Sequence, residues 1–300
     1  MIDELQAMGF AVDYRPALKN EDTIFIIAEY SGLIVNTKTK VHKALIDSAV
    51  KLDFIGRVGS GMEHIDVAYA KSKGIRVYSS PEGNANAVGE HALGMLLALL
   101  NKMANADAQI RNGIWQREKN RGVELAGKTV GIIGYGNTGS AFARKLTALD
   151  CRIFVYDKYK SGFGNDIIQE VSLDILKEQS NIISLHLPLN AESKYWLDAK
   201  CILEISQPFY LINTARGGVV HTESLLQGLE SGKIIGAALD VFENENFNAL
   251  DSHSESHFRK LATMQNVLMT PHIAGWTVES KWKLAKILTQ KIKENEMLEN

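Results

Sequence analysis

The stretch KTVGIIGYGNTGSAFARKL, Lys128 to Leu146, decides the fold. Val130 to Ile133 is a short apolar run with β-branched residues, helical spacing resumes after Gly139, and Gly134, Gly136 and Gly139 stand between them as G-x-G-x-x-G. That order is a strand, a tight turn and a helix start. In such a turn the first glycine makes the bend, the second lets backbone approach a pyrophosphate, and the third lets helix pack on strand. The anion then sits at the helix N-terminus, so Tyr135, Asn137 and Thr138 join the three glycines as candidate cofactor contacts. The motif alone is weak, since a glycine-rich loop without a ligand has the same letters. CRIFVYD strengthens it: an apolar strand ends in Asp157, about 20 residues beyond the glycines, where a carboxylate bonds both ribose hydroxyls of NAD. The same charge repels a 2′-phosphate, so NAD is favoured over NADP. Lys158 and Lys160 leave NADP a small opening, and a plain strand-end cap is the bland account of Asp157.

Composition narrows the partner. Three hundred residues favour two domains over one core. A formal charge of −2 with mixed signs shows no basic footprint for nucleic acid or for a membrane surface. A small molecule is the expected partner. Cys151 and Cys201 are too few for a disulfide framework or a cysteine metal site, so no metal is expected and a reducing cytoplasm is the simplest location. The N-terminus lacks a signal-type apolar segment. The apolar run Ala92 to Leu100 falls far short of the roughly 20 residues that span a bilayer.

Outward from the glycine turn, strand-like and helix-like stretches alternate in both directions, the pattern of parallel sheets flanked by helices. Upstream lie DELQAMGF, AVDYRP, a helical segment to Tyr30, GLIVNTK, VHKALIDSAV, KLDFIGRVG, DVAYAKSKG and IRVYSS. The chain opens on a helix where such a unit usually opens on a central strand, so one N-terminal strand is expected to be absent. After Pro81, ANAVGEHALGMLLALLNKM reads as a long helix, apolar on nearly all sides and therefore buried between domains or subunits. A polar connector follows. Beyond Asp157 the alternation resumes through NIISLHLPL, FYLINTARGG, IIGAALDVFE and NVLMTPHIAG, a second doubly wound sheet. The tail from Ser280 is a charged amphipathic helix.

Ligands of open parallel sheets lie beyond the carboxyl ends of the strands. Three residues follow strands there: Arg216 after YLINTA, Glu245 after ALDVF, and His272 after NVLMTP. Each alone is bland. Together they suit hydride transfer to a carbonyl beside a nicotinamide. Histidine protonates the nascent alkoxide near neutral pH. A carboxylate bonded to the imidazole favours its charged form, and arginine offers a planar fork for a carboxylate or ketone.

These motifs in order, GIIGYGNTG with VYD, SLHLPL, NTARGG, ALDVFENE and TPHIAGWT, resemble the D-isomer-specific 2-hydroxyacid dehydrogenases, in their phosphoglycerate dehydrogenase-like branch. The resemblance spans nearly the whole chain. It implies two Rossmann-like domains: a discontinuous substrate domain, residues 1–82 with 276–300, and an inserted NAD domain, residues 83–275, through which a homodimer forms. It assigns Arg216, Glu245 and His272 as the catalytic set, and puts Asp240 near the nicotinamide. His186, Leu187, Pro188, Thr214 and Ala215 line the cofactor. RVGSGMEHID matches the loop whose backbone N–H groups, here of Ser60 and Gly61, bind the substrate carboxylate.

Two departures bear on the substrate. The family's proline after the catalytic glutamate is Asn246 here, followed by an Asn- and Ser-rich stretch to about Ser256, so Glu245 is expected on a more mobile loop. Where phosphoglycerate-specific relatives carry two arginines, this chain reads Asn36, Thr37, Lys38, Thr39; Lys38 keeps a point charge for a phosphate but no bidentate grip. The expected reaction is interconversion of a D-2-hydroxy acid and its 2-keto acid with NAD, the substrate being 3-phosphoglycerate or a glycerate-like acid. The rival reading is an NAD(H)-sensing binding protein on the same fold without turnover.

Overall fold

A computed structural model of the chain describes residues 1–296, which divide into two compact units. One is Met1–Ala85 together with the segment that begins at Thr277; the other is Asn86–Trp276.

The first unit holds a parallel sheet of β1 (Gly32–Val35), β2 (Phe54–Arg57) and β3 (Arg76–Ser79), in that order. Neighbouring residues of a strand face opposite sides, and both sides are covered. Ile55 packs with Val41, Leu45 and Ile46, whereas Phe54 packs with Leu5 and with Leu288 and Ile292 of the last helix, Val278–Glu296. The C-terminal helix thus completes the N-terminal sheet's second face. Residues 11–15, within the AVDYRP stretch read as strand-like, form no strand. Asp13 in this segment accepts from Arg15 Nε at 2.7 Å and from the Tyr30 hydroxyl.

The second unit is a seven-stranded parallel sheet: β4 (Thr129–Ile133), β5 (Arg152–Tyr156), β6 (Ile168–Glu170), β7 (Ile182–Leu185), β8 (Phe209–Asn213), β9 (Ile234–Leu239) and β10 (Val267–Met269). Its order is β10-β9-β8-β7-β4-β5-β6. The direction of winding reverses between β4 and β7, the switch point where such sheets bind ligands. The glycine turn leaves β4 at that point. Val130 and Ile132 join one core with Ala92, Leu96 and Phe142; Ile133, Ile183 and Leu211 join the other with Leu197, Leu225 and Leu229. Strands buried on both faces explain their continuous apolar runs.

Three local readings change. The long helix is Glu82–Leu100 and stops short of Met103, because Lys102 takes φ 52° before a second helix, Met103–Arg111. Its Ala92, Met95, Leu96 and Leu99 are buried at helical spacing, while Gly94 is exposed, so it is not buried all round. The Asn- and Ser-rich stretch gives way to a helix at Ser252–Thr263, capped by Asp251, whose carboxylate accepts from Ser254 N at 2.8 Å. β6 escaped the sequence because a three-residue edge strand with one buried side chain, Ile168, has no periodicity. Among the described residues no helix is long and apolar enough to cross a membrane.

Candidate active site

The first glycine of the turn bends the chain and the third admits the helix. Gly134 bends the chain at φ +94°, and a Cβ there would lie 2.5 Å from the His186 carbonyl. At Gly139 a Cβ would lie 2.0 Å from the Gly134 carbonyl, so helix Asn137–Leu146 could not dock on β4. A Cβ at Gly136 would meet open space, which leaves room for an anion at the helix N-terminus. Asp157, just past β5, closes the turn: Oδ2 accepts from Tyr135 N at 2.7 Å, and Oδ1 from Tyr159 N and Lys160 N at 2.9 and 3.0 Å. The cap is therefore real. It also holds the carboxylate beside the turn, where a ribose can use its remaining lone pairs.

His186, past β7, is wedged between Ser184 Oγ at 2.9 Å and Thr138 Oγ1 at 3.2 Å, and burial pushes its imidazole down to about 3. It stays neutral and buttresses the turn. Leu187 is half-buried against Gly134, and Pro188 is exposed. Past β8, Thr214 Oγ1 is buried without a hydrogen-bond partner among the described residues, and Ala215 N donates to Asn213 Oδ1 at 3.1 Å.

The three chemistry-bearing residues converge on loops of one sheet edge. Asn213 Nδ2 donates to the Arg216 carbonyl at 3.0 Å, shaping the turn that presents the guanidinium. Gly217 lets this turn pass the next: a Cβ there would sit 1.8 Å from the Phe242 carbonyl. Glu245 Oε2 lies 2.7 Å from His272 Nδ1. That bond raises the imidazole above its ordinary value, against partial burial and the nearby Arg216 charge. Both side chains remain partly exposed, so His272 can offer Nε2 outward. The loop beyond Glu245 is anchored as well, since Phe247 packs edge-on against Phe258 at 4.7 Å between centroids and against Phe242 at 5.9 Å. The Phe247 staple was not legible because its partner lies on a helix the sequence did not reveal.

Asp240, expected near the nicotinamide, directly follows β9. Its carboxylate is fully buried and turned into the 270–274 backbone: Oδ1 accepts from Thr270 Oγ1 at 2.6 Å and Ile273 N at 2.9 Å, Oδ2 from Ala274 N at 2.8 Å. The Asp240 carbonyl accepts His272 N at 2.7 Å. These bonds hold His272 at φ +55°, a left-handed conformation uncommon outside glycine. In the first unit, the Ser60 hydroxyl donates to Asn84 Oδ1 at 2.7 Å, and Lys38 is exposed on the loop after β1, its N–H bonded to Asn36 Oδ1.

The sequence model for the NAD-binding domain of the D-isomer-specific 2-hydroxyacid dehydrogenases matches residues 93–274. The chain belongs to this family. The dehydrogenase is 36% identical to a hydroxypyruvate reductase of Thermotoga maritima over 92% of its own length and 88% of the relative's. It is 32% identical to a D-3-phosphoglycerate dehydrogenase of Archaeoglobus fulgidus over 97% of its length but only 54% of the relative's, so it spans about half of that enzyme. Among solved structures it superposes on a D-lactate dehydrogenase of Aquifex aeolicus, complexed with NAD and lactic acid, with a TM-score of 0.82 at 27% identity, covering 97% of this chain and 90% of that one.

The dehydrogenase is an NAD-dependent oxidoreductase acting on a CH–OH group. Its own residues fit the cofactor: an open approach at Gly136, a carboxylate held at the β5 end, and an unpartnered buried hydroxyl at Thr214.

Proposed function

We propose that the protein interconverts D-glycerate and hydroxypyruvate, or close analogues among small D-2-hydroxy acids, in a reducing cytoplasm. The 2.7 Å contact between His272 Nδ1 and Glu245 Oε2, with Arg216 nearby, carries this reading. When bound, NADH supplies the hydride. Arg216 orients the keto acid and polarises its carbonyl; His272 Nε2 gives its proton to the oxygen as it becomes an alkoxide; Glu245 holds the resulting imidazole in the tautomer that takes a proton back. The Ser60 and Gly61 N–H groups are the proposed carboxylate ligands. The single Lys38 favours hydroxypyruvate over its 3-phosphate, and the high mutual coverage with a hydroxypyruvate reductase supports the same choice.

The exposed Met103, Ile110, Ile114 and Trp115 of the NAD-binding unit support a homodimer through that unit. Light scattering of wild type and Trp115→Asp tests it; a wild-type monomer removes the dimer.

The activity test follows NADH absorbance with hydroxypyruvate, glyoxylate, pyruvate and 3-phosphohydroxypyruvate. Hydroxypyruvate should turn over with the highest kcat/KM. Protein that binds NADH yet turns over none of them would instead be a nicotinamide sensor.

A further inference from the structure

The helix Glu82–Leu100 carries a histidine for which the reaction above has no use. His91 points its Nε2 at Thr270 Oγ1, 3.1 Å away, and lies 3.6 Å from Asp240 Oδ1. A threonine hydroxyl has one proton. Thr270 Oγ1 lies 2.6 Å from the buried Asp240 oxygen and 3.7 Å from Met95 Sδ, a weak acceptor, so the proton goes to the carboxylate. Its lone pair then faces His91, which must carry the proton on Nε2. The result is an oriented chain, His91 Nε2–H to Thr270 Oγ1–H to Asp240 Oδ1, ending on the carboxylate that bonds Ile273 N and Ala274 N.

We propose that His91 is a positioning residue for His272, acting through Thr270 and Asp240 to hold the left-handed turn that aims the imidazole. A fully buried carboxylate needs all of its oxygens satisfied. Thr270 polarised by His91 is a stronger donor to Oδ1 than Thr270 alone, because linked hydrogen bonds reinforce one another. The turn at φ +55° is costly for histidine and persists only while the Asp240 bonds hold it. His91 therefore governs the geometry of the proton donor from a different helix, without touching substrate or cofactor.

The inference rests on His272 being the proton donor, so its test includes a readout that needs no turnover. Amide hydrogen exchange at Ile273 and Ala274 is compared among wild type, His91→Leu, His91→Gln and Thr270→Val. His91→Leu and Thr270→Val should speed that exchange by about tenfold. His91→Gln, whose amide can donate where Nε2 did, should stay close to wild type. With a turned-over substrate, kcat should fall about tenfold in the Leu and Val variants while NADH affinity holds, and Gln should recover most of it. Unchanged exchange in either His91→Leu or Thr270→Val overturns the proposal, as does equal impairment by Leu and Gln. Altered exchange with no turnover by wild type would leave the His91 linkage standing and remove the proposed reaction instead. Should His91→Leu not fold, Thr270→Val carries the comparison.

Discussion

The imidazole of His272 and the carboxylate of Glu245 meet at 2.7 Å although 27 residues separate them, one on the loop after β10 and the other on the loop after β9. The bond raises the His272 pKa, which fixes the sign of the pH dependence. Reduction needs the imidazolium, so it should be fully active below the ordinary histidine value near 6.5 and decline as pH rises through the raised value. Oxidation needs the neutral ring and should rise over that window. The pair's contribution to stability follows the same course, present at low pH and lost as pH rises through the folded value. Glu245→Gln should bring the reductive decline to lower pH and cut kcat by roughly tenfold at about pH 8, as read from a pH–rate profile.

Gly136 and Gly139 should separate binding from folding. Gly139→Ala drives a methyl into the Gly134 carbonyl and should lower stability by about 1–3 kcal/mol, seen in thermal unfolding. Gly136→Ala meets no protein atom, so the fold should survive while NADH affinity falls, seen by quenching of protein fluorescence.

Asp157 has two tasks, and its removal should show both. Asp157→Ala frees three backbone N–H groups around the turn and removes the charge that opposes a 2′-phosphate. The KM for NADH should rise about tenfold, and the NADPH-to-NADH ratio of kcat/KM should increase, aided by Lys158 and Lys160.

Phe247 should matter to catalysis without touching the reaction. Phe247→Ala removes its edge-on contacts with Phe258 and Phe242, costing about 1 kcal/mol, and releases the loop that presents Glu245. kcat should drop more than NADH affinity. Loss of stability with kcat intact would make Phe247 only a packing residue.

Arg216→Lys keeps the charge and loses the planar fork. kcat/KM for the keto acid should fall by about a hundredfold with NADH affinity unchanged, since a point charge cannot orient carboxylate and carbonyl together.

Much of this was legible along the chain, and the reason is local. A glycine required by a turn, an apolar run buried on both faces and a polar residue just past a strand each leave their mark within a few positions. Gly134, Asp157, Arg216, Glu245 and His272 were found that way. Contacts made across the fold left no such mark. His91 sits within an apolar helix with nothing beside it in the sequence to single it out; only the packing of that helix beside β9 and β10 brings it to Thr270 and Asp240. The family resemblance leads to the expectation of Asp240 near the nicotinamide, and only the fold shows that its buried carboxylate bonds the backbone around His272.

The sequence by itself determined the doubly wound sheet, the glycine turn with its acidic partner, and the order of Arg216, Glu245 and His272, because periodicity and turn chemistry act over a few residues. The tertiary structure alone decided the aim of those side chains. Aim depends on bonds between loops that the sheet brings together from far apart in the chain, such as Glu245 to His272 and Asp240 to the turn at φ +55°.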